Sequence, residues 1–361
     1  MTRIKNIFLI LLSIFILELT SQIIILAYEK KYSILFKSFS NTISKKIIKN
    51  YQINWDYKKN KMKPGIYEND FTSYTINSKG FRGNEFKEKK EKIRIIAFGG
   101  STTIGLESPD NKTYPFQLEK LLNEKSDKYE VINMGFSSKS LNFIKNLFFT
   151  EAYKYEPDYI TIYSNRNSLM YDGGSIDPYF EGTRLVKLNY FLQENISTYR
   201  LLFKVYKKFL NFNVDSKKLK SPFNKNGISK DYLINGYKNS IKEIVDYSKK
   251  NKIKVVLIKQ AYYFEPNIFE ELKIYTINKL IELYEENFFV IKYKIDEETQ
   301  YHVVLGTILN KSLDEFNKLD NVIVVDPVTS LLDSKDNFTD YLHLTPTGNL
   351  ILAQEIYKNL K

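Results

Sequence analysis

Apolar runs of strand length alternate with amphipathic stretches from Ile93 onward in this 361-residue chain, and no other feature limits its fold so tightly. Residues 93–98 (Ile-Arg-Ile-Ile-Ala-Phe), 129–133, 158–163 (Asp-Tyr-Ile-Thr-Ile-Tyr), 253–259 (Ile-Lys-Val-Val-Leu-Ile-Lys) and 322–326 read as strands. Helical periodicity marks residues 113–125, 139–153, about 230–250, about 266–288, about 303–318 and 347–360. Strands joined through helices run parallel, because each crossover lays its helix on a face of the sheet. The pattern predicts an α/β domain whose parallel sheet is covered on both faces. Ligands of such sheets sit at the carboxyl ends of the strands.

The first of those ends reads Arg-Ile-Ile-Ala-Phe-Gly-Gly-Ser-Thr-Thr-Ile-Gly, residues 94–105. A phosphate cradle is the first reading to exclude. Gly100 and Gly105 have the P-loop spacing, but Leu106 and Glu107 stand where lysine and Ser or Thr are needed, and no G-x-G-x-x-G pattern is present. What remains is a serine lifted past a strand by two glycines, a geometry that exposes a hydroxyl and frees its backbone N–H as a donor. Ser101 is therefore a candidate nucleophile. The alternative is a serine that only caps the following helix.

A serine nucleophile needs a base, and the chain has only two histidines, His302 and His343. His302 lies in a helical stretch among aliphatic residues and reads as a packing or surface residue. His343 follows Asp340 by three positions in a loop before the last helix, with Thr345, Pro346 and Gly348 suited to start that helix. An aspartate at that spacing can fold onto Nδ1 and leave Nε2 free to take a proton. The same pair in a surface loop would have no such role.

Composition removes other classes. No cysteine is present, which excludes disulfides, thiol nucleophiles, lipidated cysteine and thiolate metal sites. The net charge of +12 comes from lysine without a basic stripe interleaved with aromatics, so nucleic acid is not an expected partner. Residues 1–6 form a short tail, and residues 7–28 are about 22 mostly apolar positions, long enough to span a bilayer. No small-x-small cleavage pattern follows, so the segment reads as an uncleaved transmembrane anchor. Glu18 inside it needs a partner or must snorkel. Arg3 and Lys5 precede the span while Lys30, Lys31, Lys37, Lys45 and Lys46 follow it, a count that leans against export of the remainder. Residues 29–65 read as a lysine-rich stalk and 66–361 as the folded domain.

Four short blocks in this order resemble the SGNH/GDSL hydrolase family, over roughly residues 76–361. The first is Phe-Gly-Gly-Ser-Thr at 98–102, with Gly100 where Gly-Asp-Ser is usual; the second is Ile-Asn-Met-Gly-Phe-Ser-Ser at 132–138. The third, Gly-x-Asn-Asp in the family, places Asn165 at the glycine, Asn167 at the asparagine and Ser168 at the aspartate. The fourth is Asp340-x-x-His343 with Leu-Thr-Pro-Thr-Gly after it, and residues 76–86 (Ile-Asn-Ser-Lys-Gly-Phe-Arg-Gly-Asn-Glu-Phe) look like the lead-in of membrane-attached relatives.

The resemblance implies a three-layer α/β/α sandwich with a flavodoxin-like sheet. It implies a catalytic Ser101, with His343 as base and Asp340 as its orienting carboxylate. The Ser101 and Gly135 N–H groups with the Asn167 amide would form the oxyanion hole; with the block's glycine lost, Asn165 is the other choice for that amide. No metal or organic cofactor is implied. The expected function is a membrane-anchored serine esterase or deacetylase that cleaves or transfers acyl esters of an envelope glycan or lipid, its domain outside the cytoplasm. A catalytically silent binding protein and a lysine-rich membrane-surface scaffold are the alternatives. Residues 172–227, rich in Tyr, Phe and Lys, read as an inserted cap.

Overall fold

The computed structural model describes residues 61–87, 90–171, 230–264 and 266–360, together with Ser13, residues 16–18, Thr20, Trp55, Asp56, Thr198, Tyr199 and Leu202. Most of the expected anchor (7–28), stalk (29–65) and cap (172–227) lies outside the described residues. No helix among the described residues is long and apolar enough to cross a membrane. The chain divides into two compact units, Met1–Lys49 with Ile176–Lys220, and Asn50–Ser175 with Ser221–Lys361. In the first unit, the Glu18 carboxylate accepts hydrogen bonds from the Thr198 N–H (3.0 Å) and hydroxyl (2.9 Å).

The second unit contains five parallel strands, β1 (Ile93–Gly99), β2 (Tyr129–Gly135), β3 (Tyr159–Tyr163), β4 (Lys254–Ile258) and β5 (Val322–Val325). Their spatial order is β2-β1-β3-β4-β5, the flavodoxin-like order. Ile96 of β1 lies between Ile132 and Ile160 in register, so this strand is enclosed on both edges by β-branched side chains. Ile95 and Ile96 are fully buried, each contributing about 2 kcal/mol through the apolar area removed from water.

Helices α1 (Ser101–Ile104), α2 (Tyr114–Leu122), α3 (Leu141–Thr150), α4 (Arg166–Tyr171) and α5 (Lys230–Lys250) follow the first three strands. Then come α6 (Pro266–Ile274), α7 (Ile277–Glu285), α8 (Phe288–Tyr293), α9 (Glu297–Ser312), α10 (Val328–Leu332) and α11 (Pro346–Leu360). Ala97, Val256 and Ile258 share one apolar cluster with Tyr114 and Leu118 of α2 and Leu352, Ala353 and Ile356 of α11. Phe98, the next residue along β1, faces the other way and meets Phe148 of α3 edge-on at 6.1 Å. The sheet is therefore a middle layer with helices on both faces.

Two expected helices differ in extent. The stretch 266–288 divides because Thr276 caps a new helix, its hydroxyl accepting from the Lys279 N–H. The stretch 303–318 starts earlier, at Glu297, where the Asp296 carboxylate accepts from the Thr299 N–H at 2.7 Å, and it ends as a tighter turn over Leu313–Lys318.

Candidate active site

The order of the strands reverses between β1 and β3, which opens a crevice at their carboxyl ends. Ser101 follows β1 there as the first residue of α1, so its N–H has no intrahelical partner. Gly100 is required by close approach: a Cβ at this position would lie 2.4 Å from Asn167 Nδ2. The far end of α1 is held by the lead-in segment. Arg82, buried, donates from Nη1 to the Ile104 and Gly105 carbonyls (2.5 Å each), from Nη2 to the Ser108 carbonyl (2.6 Å) and from Nε to Asp110 (2.9 Å). A cation on the last carbonyls of a short helix supplies the acceptors' missing partners.

His343 reaches the crevice from a loop closed by the Thr339 N–H on the His343 carbonyl (2.8 Å) and by a bridge between Phe338 and Leu344. Asp340 Oδ1 accepts the Leu342 and His343 N–H groups, both at 2.7 Å, and Oδ2 lies 2.7 Å from His343 Nδ1. Nε2 lies 2.8 Å from Ser101 Oγ. A carboxylate only accepts, so Nδ1 carries the proton and Nε2 is left to accept from the serine hydroxyl. Behind the loop, Asn349 of α11 accepts the Tyr114 N–H and donates to Ser108 Oγ, joining α11 to α2 and to the segment after α1.

Burial works against charge at both members of the pair. At His343 the Asp340 hydrogen bond and the nearby Glu107 carboxylate outweigh it and raise the proton affinity, while Arg166 acts in the opposite direction. At Asp340 desolvation is outweighed by the His343 contacts and the two backbone N–H groups, which hold the carboxyl down to about 2. Glu107 itself is pushed up, mainly by desolvation. The arrangement can pass a proton from hydroxyl to imidazole and keep the resulting cation beside an ionised carboxylate.

The loop after β3 separates the two asparagines considered for the oxyanion. Asn165 is buried and fully engaged: its amide donates to the Gly306 carbonyl and to Asn310 Oδ1 (2.9 Å each), and its carbonyl accepts from the Tyr262 hydroxyl (2.9 Å). Asn167 is the residue packed against Gly100, with Nδ2 also donating to the Lys139 carbonyl at 3.0 Å. One amide hydrogen is thus spent on the loop, and the other remains for a ligand. Ser168, where the family has aspartate, accepts from the Leu141 N–H at the start of α3 (3.1 Å).

Gly135 departs from expectation. Its N–H donates to the Asn133 side-chain carbonyl at 2.9 Å, inside the fold. The glycine is needed for packing instead, because a Cβ would lie 2.3 Å from the Ile104 backbone nitrogen in α1. The part of this loop that meets the crevice is the turn beyond it, where Ser138 adopts a left-handed conformation (φ 59°) and Lys139 accepts from Asn167.

Several residues of the site carried no obvious mark in the sequence. A narrow recess beside Ser101 is lined by Thr102, Ser164, Arg166, Gln260 and Leu342 among others. Gln260 accepts the Arg166 N–H (3.0 Å) and is held by Asn310 through both of its backbone groups. His302 is buried and lies 3.3 Å from the Arg166 guanidinium; of the two readings given to it, packing and surface, the structure supports the first. An arginine between two asparagines at a strand end is the signal that could have pointed to this group. No cluster of three or more His, Cys, Asp or Glu side chains among the described residues could hold a metal ion.

Neither a protein-family model nor a curated protein sequence matches the chain. Solved structures do resemble it. An acetyl xylan esterase from Geobacillus stearothermophilus is 11% identical with a TM-score of 0.42, covering 76% of this chain and 97% of that one. A second acetyl xylan esterase, AlAXEase, is 14% identical with a TM-score of 0.43 over 74% of this chain and 100% of its own. A structure described as a GDSL-like lipase, from Bacteroides thetaiotaomicron, is 14% identical with a TM-score of 0.37 over 74% and 86%. Identities this low assign no role to any residue.

Proposed function

We propose that the chain is a serine esterase of the SGNH/GDSL type, acting on acyl esters through an acyl-serine intermediate. The observation that carries this reading is the continuous relay Asp340–His343–Ser101, with 2.7 and 2.8 Å between successive side chains. In the proposed reaction Ser101 Oγ attacks the ester carbonyl as its proton passes to His343 Nε2. Asp340 holds the tautomer and stabilises the imidazolium, which then protonates the departing alcohol. Water, or a sugar hydroxyl in the transferase variant, attacks the acyl-serine, giving its proton to His343 and restoring the hydroxyl.

The negative oxygen of each tetrahedral intermediate is held by the Ser101 N–H and the Asn167 amide. A further backbone donor comes from the turn at Ser138, in place of Gly135. Each donor of this kind typically contributes about 3–4 kcal/mol to the barrier, or 10²–10³ in rate. The small recess favours a short acyl group such as acetyl. Residues 7–28 anchor the protein in a membrane with the catalytic domain outside the cytoplasm, where an acylated envelope glycan or lipid is the substrate.

Fluorophosphonate labelling of the purified protein tests the reading. Wild type is expected to label at Ser101 and Ser101→Ala to stay unlabelled; a folded wild type that takes no label would leave a binding protein with a silent site. Turnover of 4-nitrophenyl acetate against longer esters, with and without a carbohydrate acceptor, separates short from long acyl groups and hydrolysis from transfer.

A further inference from the structure

Asn167 brings its amide against Gly100 from a loop that is held on its far side by α9. Gly306 and Asn310 lie one turn apart on that helix and so on one face of it. A Cβ on Gly306 would lie 2.6 Å from the Tyr262 ring, so the glycine lets that ring pack directly on the helix. The Tyr262 hydroxyl then reaches Asn165 Oδ1 at 2.9 Å, and the Gly306 carbonyl accepts from Asn165 Nδ2 at the same distance.

Asn310 completes the attachment. Its Oδ1 accepts from Asn165 Nδ2 and from the Gln260 N–H (2.9 Å each), while its Nδ2 donates to the Gln260 carbonyl at 2.8 Å. Two donors on one side and a carbonyl on the other allow the amide a single orientation. Gln260 in turn accepts the Arg166 N–H on Oε1 (3.0 Å), and the Asn165 carbonyl accepts the Ser168 N–H (3.0 Å). Asn167 is therefore carried between two backbone groups whose partners both lead back to Asn310. Asn165, Gln260, Tyr262 and Asn310 are all buried, where a hydrogen-bonded polar network fixes one arrangement. An apolar side chain at position 310 would fill the same space without setting the loop.

We propose that Asn310 is a positioning residue for the oxyanion: through Asn165 and Gln260 it sets where the Asn167 amide stands beside Ser101. The tolerance is small, since Asn167 Nδ2 lies 2.4 Å from the place of a Gly100 Cβ, and a misplacement of about 1 Å in an active site can cost on the order of 10² in rate. The placement stands on the hydrogen bonds, while its effect on turnover rests on the serine-esterase reading, and the experiment reads the two separately.

The full chain is measured in two ways. Hydrogen exchange followed by mass spectrometry should show faster exchange confined to residues 164–168 in Asn310→Ala, with β1 and β2 unchanged. Exchange that is unaltered in that loop, or raised across the whole sheet, overturns the proposal, the second because Asn310 would then serve stability alone. On 4-nitrophenyl acetate, Asn310→Ala should lower kcat by about tenfold, part of what one oxyanion donor supplies, and leave KM within about twofold. With Asn167→Ala already in place, the same substitution should change kcat by less than about twofold, because residues that act as a unit do not add. An equal loss in both backgrounds overturns the proposal. Asn310→Asp keeps an acceptor for the Asn165 amide and the Gln260 N–H and should recover part of kcat. Tyr262→Phe, which removes only the hydroxyl donated to Asn165, repeats both comparisons at smaller amplitude should the alanine variant fail to fold. Faster exchange confined to the loop, with no turnover of any ester by wild type, would sustain the placement and defeat the esterase reading.

Discussion

At the scale of single residues, the site depends on an atom that is missing. Gly100 has no side chain, and the Asn167 amide fills the space where one would begin, 2.4 Å from the Cβ position. Gly100→Ala should therefore push Asn167 away and lower kcat on 4-nitrophenyl acetate by about 10², the effect of losing one oxyanion donor, with little change in melting temperature. The titration of His343 gives a second test. Its proton affinity is raised, and the base must be neutral to act, so the acid limb of kcat/KM should lie above the ordinary imidazole range. Asp340→Asn removes a hydrogen-bonded carboxylate that raises that affinity. The limb should move to lower pH, while kcat falls on the order of 10³ because the tautomer is no longer fixed. An acid limb that stays in place in Asp340→Asn would show that another group controls it.

Among elements, the short α1 helix is held from outside rather than by its own length. Four residues cannot sustain a helix alone, and the Arg82 guanidinium meets the carbonyls at its end. Arg82→Met should leave those carbonyls and Asp110 without their partner and destabilise the domain by on the order of 3 kcal/mol, read from urea unfolding at constant m-value. The strands that frame α1 were legible in the sequence because β-branched apolar runs buried on both faces have few other uses. The Asp340–His343 spacing was legible because a three-residue separation is local. Gly135 and Asn165 were not, since their polar groups are satisfied by Asn133 from the same strand and by Asn310 and Tyr262 from distant elements, and neither kind of pairing leaves a spacing to read. The helix breaks at Thr276 and Asp296 were readable in principle, as both are ordinary capping residues.

For the molecule as a whole, the sheet unit closes its own core, and every relay residue belongs to it. A chain beginning at Asn50 is expected to retain fluorophosphonate labelling of Ser101 and to leave the membrane fraction, as followed by gel labelling of soluble and pelleted material. Loss of label in a chain that still melts cooperatively would make Met1–Lys49 part of the active centre. The relay itself joins positions 242 residues apart. Synthesis from the amino end delivers the hydroxyl long before the imidazole, so a nascent chain whose His343 is still inside the ribosome carries an inert serine. On the proposed function, acyl chemistry cannot begin until nearly the whole sheet has been translated, because the serine has no base before then.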